Sequence, residues 1–123
     1  MQSITPHIIE EAYELVDAIE SRDMTLIQEE LGDVLLHVAM LSQMAEETKA
    51  FDMDDVATDV SDKMVRRHPH VFGDTKADTV DEVWKNWDAI KRTEKDESIL
   101  NSIPRALPAL LQAQKIQKKV SRV

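Results

Sequence analysis

The sequence contains no cysteine. That excludes a disulfide framework, a thiolate zinc site and a cysteine nucleophile, and it fits a reducing compartment. The only glycines are Gly32 and Gly73, so neither a P-loop nor a GxGxxG turn can be built. If phosphates are bound, a metal ion or side chains must hold them. Two glycines and four prolines are also too few for a turn-rich β-sandwich or a collagen-like repeat. No run of about 18 apolar residues exists, so no segment is expected to span a membrane. The start, MQSITPHIIEE, lacks a basic stretch followed by an apolar one. No signal peptide is therefore expected, and the expected location is cytoplasmic.

The chain has 123 residues, enough for one core, and its 42% apolar content excludes a disordered chain. The formal charge is −9, which argues against nucleic acid as a partner. That charge is unevenly placed. Residues 1–60 carry 15 acidic and 2 basic side chains, whereas residues 61–123 carry 9 acidic and 13 basic ones. Such asymmetry describes either solvated helix faces or a site in which acidic groups bind a cation and basic groups meet an anionic ligand.

The periodicity is helical throughout. Thr5-Pro6 is a helix start, with Thr as N-cap. Ile8, Ala12, Leu15, Val16 and Ile19 then recur at steps of 3 and 4, predicting a first helix to about Ser21. A short turn precedes Thr25-Leu26-Ile27-Gln28, which reads as a capping box. Ile27, Leu31, Val34, Leu35, Val38 and Leu41 predict a second helix to about Thr48, antiparallel to the first. Asp52 can cap a third helix with Val56, Val60 and Met64 on its face, ending before Pro69. Residues 69–78 read as a polar loop. Thr79 to Glu82 is another capping box, opening a fourth helix with Val83, Trp84, Trp87 and Ile90. A charged linker from Lys91 to Ser102 and a fifth helix from Pro104 to Val120 complete the reading. The expected fold is an all-α antiparallel bundle of about four to five helices.

Two acidic pairs carry the strongest chemical signal. Glu11 and Glu14 lie three apart on the first helix, and Glu30 and Asp33 three apart on the second. Residues at that spacing share a face. Each pair borders an apolar stripe, so the carboxylates belong at the margin of the interhelical seam. Packed helices lie roughly 8–10 Å apart, close enough for both pairs to reach one cation. Oxygen-only ligands favour Mg²⁺, Mn²⁺ or Ca²⁺ over zinc or copper. Gly32 sits between the second pair, where a close approach or a packing accident would each account for it. A carboxylate-bridged di-iron bundle needs Glu-x-x-His, and none of His7, His37, His68 and His70 follows a Glu by three residues.

Four stretches, EEAYE at 10–14, EELGD at 29–33, SDKMVRRHPHVFGD at 61–74 and WKNWDAIKRTEK at 84–95, resemble the MazG family of nucleoside triphosphate pyrophosphohydrolases. The similarity keeps the family's order and spacing over nearly the whole chain. It implies an all-α, homodimeric or higher homo-oligomeric enzyme. With Mg²⁺, or Mn²⁺ as a substitute, such an enzyme hydrolyses a nucleoside triphosphate between the α- and β-phosphates. By motif matching, Glu11, Glu14, Glu30 and Asp33 fall on the family's catalytic metal ligands. Lys63 and Arg67 match basic positions that contact the triphosphate or complete the site, and Trp87 and Lys91 an aromatic and a basic position near the nucleotide. Without the family, Lys63 and Arg67 read equally as a basic helix C-terminus, and Trp87 as core packing. Trp84 and Tyr13 read as packing residues, and His68 and His70 as shaping their loop.

Family members commonly carry a helix before the EExxE segment, ending in Cys-Pro-Trp-Asp, which has no counterpart here. Residues 104–123 resemble the stretch joining two domains in longer members. The expected organisation is a pyrophosphohydrolase domain over 1–103 and a C-terminal helix over 104–123 leading to a second domain. The alternative is a non-catalytic or weakly active helical module of a larger protein.

Overall fold

A computed structural model describes residues 1–94 and 103–121, and these form helices joined by short turns without any strand. The helices are α1 (Thr5–Ser21), α2 (Met24–Glu47), α3 (Met53–Arg67), α4 (Pro69–Phe72), α5 (Val80–Glu94) and α6 (Ala109–Val120). The chain divides into two compact units, Met1–Asp62 and Lys63–Val123.

In the first unit a 3-10 turn, Gln2–Ile4, runs directly into α1. Thr5 is therefore inside the helix rather than capping it, and Ile4 occupies the cap without a side-chain hydrogen bond. The α1–α2 turn needs only two residues. Arg22 adopts the left-handed conformation (φ 60°), and its N–H donates to Ile19. Asp23 then caps α2, accepting from Thr25 N–H at 2.9 Å and Leu26 N–H at 3.4 Å. The expected Thr25 box is displaced by two residues because a carboxylate immediately before the helix reaches those free N–H groups first. At its far end α2 closes in a Schellman motif. Lys49 (φ 56°) donates to Glu46, and Ala50 to Ala45.

Helices α1 and α2 pack against each other as antiparallel neighbours. Ala18 and Ala45 are buried, and Ser42 is buried with its hydroxyl donating to the Val38 carbonyl and to Met53 Sδ. The inner row of α1 is Glu11, Leu15 and Ala18; Ile8, Val16 and Ile19, expected on that face, are exposed. Apolar residues wrap more than half of α1, and one partner helix covers only part of that arc. Helix α3 starts with a reciprocal cap: Asp55 N–H donates to Asp52, and Asp52 N–H donates to Asp55.

In the second unit α3 ends where Pro69 forbids its continuation, and residues 69–72 form a single helical turn instead of a loop. Thr79 accepts from Glu82 N–H, while Glu82 accepts from Asp78 and Thr79 N–H, closing the expected capping box of α5. Helix α5 runs through Glu94, past the expected start of a linker at Lys91; the remainder of that linker, 95–102, lies outside the described residues. Helix α6 begins at Ala109 rather than Pro104, because Pro108 takes an extended conformation (ψ 143°) at its N-cap. Gln112 ties it back to the turn through the carbonyls of Pro104 and Arg105.

Candidate active site

The acidic site is built by the α1–α2 hairpin. Glu11 and Glu14 project from adjacent turns of α1, and the two-residue turn brings Glu30 of α2 back beside them. Each of these three side chains offers an oxygen within 4.8 Å of the others. Glu11 and Glu30 are half-buried, and Glu14 is exposed. Asp33 is half-buried one turn along α2; it lies outside that triplet and acts on Glu30 through its charge.

Electrostatics makes the arrangement uncomfortable as it stands. Partial burial and repulsion from Glu11, Glu30 and Glu10 push the Glu14 carboxyl above its ordinary range. Partial burial and repulsion from Asp33, Glu11 and Glu29 do the same to Glu30. Glu30 Oε2 is buried and has no hydrogen-bond partner. A buried carboxylate oxygen without a donor, in a group made only of carboxylates, fits a hard divalent cation. Gly32 is not explained by the protein itself: a Cβ there meets nothing within 4 Å, so α1 makes no close approach.

The basic and aromatic residues gather in the second unit. The Arg67 guanidinium lies 5.3 Å from the Trp87 ring centroid, and the two side chains are half-buried. His68 meets Trp87 edge-on at 4.9 Å, and its Nδ1 is 2.7 Å from the Met64 carbonyl. Glu94 accepts hydrogen bonds from both Arg66 and Arg67, which pull its carboxyl from 4.5 down to about 2. Lys63 is half-buried and Lys91 exposed. Trp84 and Tyr13, expected as packing residues, are 56% and 55% exposed. Sequence reasoning passed over Glu94 because it placed a linker there. The four-residue spacing from Ile90 was the available sign that the helix continues.

The MazG nucleotide pyrophosphohydrolase domain matches residues 1–72 of this chain. The chain belongs to the MazG family. A MazG relative named nucleoside triphosphate pyrophosphohydrolase, from Escherichia coli, is 46% identical over 98% of this chain and 48% of its own length. A second, from Thermotoga maritima, named nucleoside triphosphate pyrophosphohydrolase/pyrophosphatase MazG, is 42% identical over 99% of this chain and 48% of its own. The uncharacterized protein YabN of Bacillus subtilis is 48% identical over 95% of this chain and 24% of its own. The chain thus spans about half the length, or less, of these MazG relatives. Among the described residues, no helix is long and apolar enough to cross a membrane.

Proposed function

We propose that this chain is a divalent-cation-dependent nucleoside triphosphate pyrophosphohydrolase, cleaving the α–β phosphate bond to give a nucleoside monophosphate and pyrophosphate. One observation carries the reading: Glu11, Glu14 and Glu30 each offer a carboxylate oxygen within 4.8 Å of the others, and Glu30 also has a buried oxygen without a donor. Glu11, Glu14, Glu30 and Asp33 would hold Mg²⁺, with Mn²⁺ as a substitute. The bound cation supplies phosphate charge neutralisation and a more acidic water. Water adds to the α-phosphorus, and the bridging oxygen departs with the pyrophosphate. A carboxylate of the cluster accepts the water's proton. Lys63 and Arg67 hold the phosphates, Arg67 through a planar fork that matches their oxygens. Trp87 and Lys91 contact the nucleotide.

Residues 1–103 constitute the catalytic domain in this reading, and 104–123 the link to a second one. The apolar arc that α2 leaves uncovered on α1, with Ile9 49%, Val16 47% and Ile19 54% exposed, suits a homodimer. The enzyme works in the cytoplasm on free nucleotides, without nucleic acid or membrane. Pyrophosphate release from a panel of nucleoside triphosphates, with and without Mg²⁺, tests the proposal. No cation-dependent release above an Asp33→Ala control would end it. The half-length match to longer relatives favours one second reading, a non-catalytic or weakly active module of a larger MazG protein. That reading predicts a folded chain that binds the cation without turnover.

A further inference from the structure

Two arginines at the end of α3 turn toward a single carboxylate on the last turn of α5. Glu94 Oε1 accepts from Arg66 Nε at 2.7 Å and from Arg67 Nε at 3.3 Å. Its Oε2 accepts from Arg67 Nε at 3.1 Å and Nη2 at 2.5 Å. The Arg67 and Glu94 side chains are 12% and 15% exposed, while Arg66 is 53% exposed. Glu94 therefore holds one edge of the Arg67 guanidinium, and the Trp87 ring lies against it, 5.3 Å from its centre.

A guanidinium carries five N–H donors in a rigid fork. With Nε–H and one Nη2–H given to Glu94, one N–H of Nη1 and the other of Nη2 form a second edge. Among the described residues, no hydrogen bond from Nη1 is formed. Charge points the same way. Two arginines share one carboxylate, leaving the clasp with a net positive charge, and half-buried Lys63 adds another one turn earlier on α3. The clasp keeps excess charge and an oriented donor edge, which matches two oxygens of a phosphate.

We propose that Glu94 is a positioning residue: it clamps the Nε–Nη2 edge of Arg67 so that the opposite edge is presented to the phosphate chain of the substrate. The proposal rests on the reading of Arg67 as a phosphate-binding group. It assigns Glu94 no contact with substrate; Glu94 lowers the cost of ordering Arg67, so its effect falls on binding.

The test uses the full 123-residue chain in buffer with Mg²⁺, inorganic tripolyphosphate as titrant, and steady-state pyrophosphate release. Glu94→Gln keeps the size and loses the charge. It is expected to weaken tripolyphosphate binding and raise KM by about tenfold, with kcat changed less than about twofold. Glu94→Asp is expected to recover all but about threefold of the loss. In an Arg67→Ala background, either Glu94 change should add less than about twofold, because both act through one group. A lower Tm with wild-type affinity and KM would make Glu94 a structural tie and overturn the proposal alone. A loss that persists in full in the Arg67→Ala background would overturn it too. If Arg67→Ala itself binds tripolyphosphate as wild type does, the reading of Arg67 fails, and this proposal with it. Should Glu94→Gln not fold, Glu94→Asp decides by the same criterion: its loss either vanishes without Arg67 or does not.

Discussion

Glu30 on α2 and Glu11 on α1 offer carboxylate oxygens within 4.8 Å of each other, and Glu30 Oε2 is buried without a donor. Among the described residues, neither side chain forms an ion pair. Two anions held this close store repulsion that a cation or a proton relieves, and the two compete for the same oxygens.

Metal-dependent stability should therefore depend on pH. Glu14 and Glu30 titrate above their ordinary value of 4.5 in the folded chain. Their protonated forms favour the fold, so the contribution of these two groups to metal-free stability is greatest below that value and declines as pH rises through the raised pKa values. Adding Mg²⁺ or Mn²⁺ should raise Tm, and more at neutral pH than below 4.5, where both carboxyls hold their protons. Differential scanning calorimetry with and without the ion reads this directly. An equal gain at both pH values would contradict it.

Glu30→Gln separates the cluster's strain from its use. The variant should be more heat-stable than the wild type in chelator at neutral pH and should lose most of the cation-induced gain. An unchanged cation response would remove Glu30 from the ligand set.

Asp33→Ala should reduce kcat/KM for pyrophosphate release by about 10²-fold or more, the scale expected when one preorganised electrostatic group is removed. Circular dichroism should remain helical, since Asp33 forms no described hydrogen bond through its side chain. A fall of less than about threefold would place Asp33 outside the chemistry.

Acid should loosen the second unit through Glu94. Its carboxyl titrates at about 2 in the folded chain against 4.5 ordinarily, so its contribution is present above 4.5 and disappears as pH falls through about 2. The stability difference between wild type and Glu94→Gln should be largest near neutrality and should shrink across that window. Urea unfolding at a series of pH values measures it.

Asp23→Ala should cost about 1 kcal/mol in urea unfolding, because two N–H groups at the start of α2 lose their acceptor. Gly32→Ala should do the reverse, adding about 0.5–1 kcal/mol, since the new methyl meets no atom.

The helices were legible because their apolar spacing and caps agree. Thr79 with Glu82 and Asp52 before α3 appear where the sequence placed them. The ends were less so, since caps compete: Asp23 outbids Thr25, and Pro108 postpones α6. Spacing alone places Glu11, Glu14, Glu30 and Asp33 on one margin; the structure brings the three glutamates together and leaves Asp33 outside the triplet. The inner face of α1 was misjudged because nearly every side of that helix carries an apolar residue, so periodicity did not choose among them. The Arg67–Glu94 clasp spans 27 positions of chain, a separation at which no local pattern operates.

The tight turn at Arg22 and Asp23 also fixes an angular register. Between the Asp23 cap and Glu30 the helix has no slack, and each residue advances it by about 100°. One codon inserted there would swing Glu30 and Asp33 together out of the seam and around to the solvent side, leaving a well-formed helix with its ligands aimed elsewhere. The same insertion at 74–78, where no helix has begun, would displace nothing but the turn. Tolerance to length change should thus differ sharply between the first turns of α2 and the segment 74–78.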